Sequence, residues 1–255
     1  MTSTKWLMRS GSLCALLVIT HGATRPVQEH TVLVGMVGAD TVAVDRYLRD
    51  ETKLEGVLFV REPQPHTMHY KAMFAPEGRF ALMELTWRDV DGNDVQSARI
   101  TFGVDSIRSE LKDTSVHSFS APTSLDAIPL PPRPWAMHAY SLVEHAAIII
   151  TMSEMRGEGK MPWIMAGETE AVTRRTRRLG ADTFEIDYVG GPVRVQVDEG
   201  GRVVWLYGEL DSVTIVVRRG ESDVDLAGLA ASFASRDTLK SLPRQSCSRR
   251  PSAAC

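Results

Sequence analysis

The residues whose types and spacing suit chemistry fall into a few groups. His138, Ser141 and His145 are three and four positions apart, which on a helix puts all three on one stripe. A histidine beside a serine can serve as base and nucleophile. No G-x-S-x-G elbow surrounds Ser141, and neither Glu144 nor Glu154 falls where it would orient a ring. The stripe therefore reads first as an amphipathic packing face and second as a hydrolase site. His66 and His69 form an HxxH pair, but residues 67–74 alternate like a strand, where positions three apart face opposite ways. His66 then lies with Met68, Tyr70 and Phe74, His69 with Thr67 and Lys71, and no single metal ion is chelated.

Arg174, Arg175, Arg177 and Arg178 crowd the segment before Gly180 and suit an anionic headgroup. Alternation puts Arg174 and Arg178 on one face, with Arg175 and Arg177 on the other. If residues 179–182 form the turn, Arg174 sits across from Asp187 and Glu185 is diagonal to Arg174 and Arg178. Trp87, Trp135, Trp163 and Trp205, with Met68, Met73, Met83, Met161 and Met165, are large adaptable groups that fill a core or line a cavity. The expected ligand-binding set is Arg174, Arg178, Trp205, Trp163, Met68 and Tyr70. No cofactor is implied.

The elements that must position these residues are mainly strands. Val193 to Asp198 alternates strictly, and Gly190-Gly191-Pro192 and Glu199-Gly200-Gly201 supply turns on either side. Further strands are expected at 31–37, 41–48, 54–61, 67–74, 80–87, 97–102 and 115–120, then at 184–188, 203–207 and 213–217. Short strands joined by tight turns predict an antiparallel curved sheet, barrel-like or a half-barrel, built as two related halves. Gly38-Ala39-Asp40-Thr41 and Gly180-Ala181-Asp182-Thr183 echo one another across those halves, each with an acid four residues on (Asp45, Asp187). Two helices are expected, at 136–151 and 223–236, the second with Leu226, Leu229, Ala230 and Phe233 as its apolar stripe.

The organisation expected is a signal peptide at 1–23, a β-rich half at 24–120, a proline-rich crossover at 121–135, a helix and β-meander half at 136–240 and a disordered tail at 241–255. Lys5 and Arg9, the apolar run from Leu13 to Ile19 and small residues ending at Ala23 have the order of an export signal. Leu13 before Cys14 does not suit lipidation. The net charge of −3 becomes −5 once those two cations are removed, so nothing draws the chain to nucleic acid or to an anionic membrane surface. No segment is long and apolar enough for a transmembrane span. A periplasmic or secreted location follows, where Cys247 and Cys255 stand either free or bridged. Prolines 122, 129, 131, 132 and 134 exclude a helix or central strand in the middle, and Pro129 with Pro132 makes a PxxP pair.

The segments 183–188, 190–198 and 201–204 resemble those of uncharacterised secreted bacterial β-rich proteins, similar in outline to periplasmic lipoprotein carriers of the LolA/LolB type. That resemblance implies a half barrel around an apolar cavity closed by helices, and it assigns no functional residue. Three readings stand. The first is a non-catalytic carrier of a lipid or other hydrophobic small molecule. The second is an envelope interaction module using a sheet edge or the proline-rich segment, which a filled interior favours. The third is a hydrolase using His138, Ser141 and His145.

Overall fold

A computed structural model describes residues 30–61, 65–76, 78–122, 127–132, 158–188, 191–199, 202–210 and 213–220, with Asp225 and Gly228. Apolar/polar alternation of the kind seen at Val193–Val197 fixes which face of each strand is buried. The N-terminal arm runs β1 His30–Val37, β2 Asp40–Arg49, β3 Lys53–Val60, β4 His66–Phe74, β5 Phe80–Arg88, β6 Asp94–Phe102, β7 Ser106–Lys112 and β8 Val116–Pro122. The short β9, Ile128–Leu130, follows. The second arm runs β10 Glu158–Met165, β11 Val172–Arg178, β12 Thr183–Tyr188, β13 Gly191–Val197, β14 Val203–Leu210 and β15 Val213–Arg219.

All of these strands belong to one sheet in the order β8-β7-β6-β5-β4-β3-β2-β1-β15-β14-β13-β12-β11-β10-β9. Every pairing is antiparallel except β9 with β10. Read as a ring, this is strict chain order, opened only between β8 and β9. The arms meet where β1 pairs with β15, Gly35 opposite Val217. The parallel pair requires a long return connection, and residues 131–157 supply it.

The sheet rolls so that one end leans on the other. The Gly167 amide, just beyond β10, donates to Ser109 Oγ on β7 at 3.2 Å. A Cβ at Gly167 would lie 3.7 Å from Leu111 and 3.9 Å from Phe119. Its φ of 88° favours glycine in any case. Ser109 shares its face with the buried Ile107, so β10 and β9 tuck against the inner face of β7. Ile128, Leu130 and Ala127 are fully buried there, and Pro129, Pro131 and Pro132 are buried with them. The proline segment thus forms a covered edge strand, where a missing N–H costs no ladder bond, and its PxxP pair lies inside.

The inner face forms a single core. Trp87, Met83, Leu85, Ile100, Met68, Trp163, Phe184 and Val217 all belong to it. Phe74 meets Phe80 edge to face at 5.2 Å, and Phe80 stacks on Phe102 at 6.1 Å. The outer wall is polar over β3 to β7, whereas Val32 on β1 and Val44 on β2 are buried on that same outer side. One row of directly paired residues runs Glu55, Lys71, Glu84, Arg99, Glu110 across β3 to β7, alternating in sign. Arg108, Arg175, Arg177 and Arg194 are exposed on the same side of the wall. Among the described residues no helix is long and apolar enough to cross a membrane.

The fold is mainly β with one antiparallel curved sheet. The expected helix at 136–151 lies outside the described residues, as does that at 223–236 apart from Asp225 and Gly228. Residues 1–23, Cys247 and Cys255 also lie outside them. The repeated Gly-Ala-Asp-Thr opens β2 and β12 as expected, but the echo stops there: Asp45 is 1% exposed on the inner face, while Asp187 points outward. Truncating Leu130 to alanine should cost about 2–5 kcal/mol in urea unfolding, because that side chain closes the tucked end; a cost within 0.5 kcal/mol, the ~surface-substitution range, would mean that the end is not packed.

Candidate functional site

Glycine at position 56 organises the first polar feature. In the strand register Gly56 stands between Tyr47 on β2 and Tyr70 on β4, all on the inner face. A Cβ there would collide with the Tyr70 ring, at 2.6 Å from Cζ, and with the Arg46 carbonyl at 2.7 Å. The missing side chain lets Tyr70 reach across β3 and donate its hydroxyl to Asp45 Oδ1 at 2.8 Å. A buried carboxylate needs such donors. Tyr47 Oη is fully buried without a hydrogen-bond partner among the described residues.

On the opposite face of the same strands lies a groove of about 530 Å³. Its floor is the sheet backbone at Tyr47, Gly56 and Tyr70. Leu48, Val57 and Thr86 supply short or apolar walls, and Arg46, Glu55, Lys71 and Glu84 supply both signs of charge. Lys53 Nζ, on the same strand, binds Glu55 at 2.7 Å, and Arg99 Nε, next in the row, reaches Glu84 at 3.7 Å, so both rim anions are held by neighbours. His69 projects into the groove, 3.4 Å from Arg88 Nη1, and Arg88 is tied to Asp94 at 2.7 Å. Burial first, then the Arg88 charge, pushes the His69 imidazole below its usual value, with Asp94 opposing. A ring that is neutral near pH 7 accepts from the guanidinium.

A second polar cluster ties one mouth of the roll. Asp198 accepts from the Arg202 amide at 2.9 Å and pairs with Arg219 at 2.9 Å, and Arg219 also donates to the Val203 carbonyl. Burial, then the charge of Arg202, pushes Arg49 down to about 10, with Asp198 pulling the other way. A third cluster was not anticipated from sequence, because its members span a turn. Ser115 Oγ lies 2.7 Å from His117 Nε2, and Asp113 lies 4.0 Å from that same nitrogen. A serine–histidine–acid relay needs the acid on the other ring nitrogen, so this exposed turn is not one.

The expected ligand set is dispersed. Met68, Tyr70 and Trp163 pack within the core. Trp205 is half-buried and neighbours the inward Leu206, so it faces outward, opposite Gln196 and Arg218. Arg178 stacks over Phe184 at 5.6 Å and donates to the Gly180 and Ala181 carbonyls. Arg174 is paired in register with Met161. The expected arginine pairing is corrected by one residue: Arg177 stands opposite Glu185 and binds it at 2.6 Å, and Arg194 approaches the same carboxylate at 3.4 Å. Arg178 pairs with Phe184, and the Leu179 and Gly180 amides both donate to the Thr183 carbonyl. The turn is thus tighter than the four residues supposed, which shifts the register. His66 is buried on the inner face, and His69 is on the outer one. His138, Ser141 and His145 lie outside the described residues. Among the described residues no cluster of three or more metal-ligating side chains occurs.

No family model and no curated protein matches the chain. Three solved structures resemble it in outline. A DUF1089 family protein from Pseudomonas aeruginosa is 14% identical, with TM-score 0.44, covering 65% of this chain and 89% of its own. A β-barrel-like protein of the domain of unknown function DUF1849 from Brucella abortus is 7% identical, with TM-score 0.47, covering 76% of this chain and 96% of its own. A porin-like protein from Bacteroides uniformis is 13% identical, with TM-score 0.25, covering 76% of this chain and 97% of its own. None of the three is described as a lipoprotein carrier.

Tyr70→Phe, which removes a donor from buried Asp45, should cost about 1.5–3 kcal/mol. Tyr47→Phe should be close to neutral in the same chemical-denaturation assay, and equal effects would contradict the pairing. Because the His69 folded-state pKa is depressed, protonation favours the unfolded chain, so its contribution is lost as pH falls below 6.5. Stability measured across that range should therefore fall less steeply in His69→Gln; an unchanged slope would show that His69 is not held neutral.

Proposed function

We propose that the protein is a non-catalytic binding protein of the extracytoplasmic space that takes an amphiphilic molecule in the groove over β2 to β5. One observation carries this: the interior side chains pack against one another, while the outer face holds a groove of about 530 Å³ with a backbone floor, the apolar Leu48 and Val57 in its walls and a charged rim. An apolar chain lying along Leu48 and Val57 leaves water, and Arg46 and Lys71 meet an anionic headgroup while Glu55 and Glu84 meet an ammonium. The rim anions Glu55 and Glu84 already pair with Lys53 and Arg99, so an ammonium exchanges partners there rather than meeting a bare charge. The export pattern at residues 1–23 supports the compartment.

Native mass spectrometry of protein purified from an exporting host, followed by solvent extraction, tests this reading. An extracted fatty acid or phospholipid is the expected result, with uptake from phosphatidylethanolamine vesicles weakened at least ~10-fold in Val57→Glu. A bare mass with no uptake, or uptake indifferent to Val57→Glu, would overturn it.

A further inference from the structure

Two valines on the outer wall are buried where a single sheet leaves side chains wet. Val32 on β1 stands beside Arg46, and Val44 on β2 stands between Val34 and Phe59. All of these point outward, because Leu33 and Asp45, their neighbours along the strands, belong to the inner face. Val32 and Val44 are nevertheless only 1% exposed, while Val57, on the same side, is half-buried. Neighbours within a sheet flank a side chain but do not roof it, so this depth requires a second layer. Every described strand lies in the sheet itself, so the layer comes from elsewhere in the chain.

The end of β15 identifies the segment. The chain leaves the sheet at Gly220, whose amide donates to the Val32 carbonyl at 2.9 Å. A Cβ at Gly220 would lie 2.9 Å from Val34 and 3.3 Å from Val32, so the departure is on the outer side, against these valines. Asp225 then accepts from the Gly228 amide at 2.9 Å, and Gly228 is helical, which is the geometry of a helix N-cap. A helix from 226 turns Leu226, Leu229, Ala230 and Phe233 to one side and Gly228 to the other, and Gly228 is exposed. The lengths agree: a helix over 226–236 is ~16 Å long, and β15 to β3 is ~14 Å across at the usual strand spacing. Charge agrees as well, since Glu221, Asp223 and Asp225 precede the helix while Arg218 and Arg46 stand beside Val34 and Val32.

We propose that residues 226–236 form a helix that docks its Leu226, Leu229, Ala230 and Phe233 stripe on the outer face of β1 to β3, over Val32, Val34, Val44 and Phe59. The assignment does not depend on the groove holding a ligand. Photo-crosslinking of the full chain carrying Phe59→p-benzoylphenylalanine, at a half-buried position beside Val44, tests it. After trypsin, the expected product joins the peptide that carries position 59 to residues 220–236 of the same chain. Leu229→Glu with Phe233→Glu should cut that product at least ~10-fold. Ala231→Glu with Ser235→Lys, on the opposite side of the helix, should leave it unchanged. The parent chain decides even where a variant unfolds. A crosslink to residues 24–29 or 133–157, a link to a second chain, no link, or equal loss in both variants would overturn the proposal.

Discussion

A single sheet can hide an apolar face only by folding that face onto itself, and the rest of this structure follows from that constraint. Antiparallel strands with one buried face alternate inward apolar with outward polar residues. Met68, Tyr70 and Ala72 point inward along β4 while His69 and Lys71 point outward. With β1 and β15 joined at the middle, the roll must end somewhere, and among the described strands it ends between β8 and β9, which are consecutive but unpaired. Gly167 on Ser109 and the proline-lined β9 resolve one end. The other, β8, bonds to no strand on its far side among the described residues.

The same constraint locates the polar groups. Charges are tolerable on the outside, where neighbours in register neutralise one another, as Arg177, Glu185 and Arg194 do across three strands. Inside, a charge needs dedicated partners, and Asp45 has one because Gly56 leaves space for Tyr70. The groove over β2 to β5 lies on the face where charge is cheap. That is why it can offer Arg46, Lys71, Glu55 and Glu84 around the apolar Leu48 and Val57 without burdening the core.

Much of the fold was legible from alternation and turn residues. β2, β4, β5 and β13 stand within a residue or two of where their patterns place them, because each buries one side only. β7 was missed: Ser106–Lys112 buries Ile107 and Ser109 but shows charged residues between them, which reads as loop. β10 was missed because Gly159, Met161 and Pro162 are poor strand formers, and tertiary pairing overrides that preference. The arginine register was off by one because turn length sets register, and Leu179 to Thr183 permits more than one turn. The groove was not legible at all, since it joins residues from four strands through sheet curvature rather than through any spacing along the chain.

Hydrogen–deuterium exchange across the sheet tests the rolled architecture most directly. Amides of Ile128, Leu130 and Trp163 to Ala166 should exchange only by global opening, as slowly as those of β1 and β15, because the tucked end is buried against β7. Amides of β8 that point away from β7, which bond to no strand among the described residues, should exchange faster. If Ile128 and Leu130 exchanged as fast as β8, the sheet would not be rolled onto itself and its inner face would need another cover.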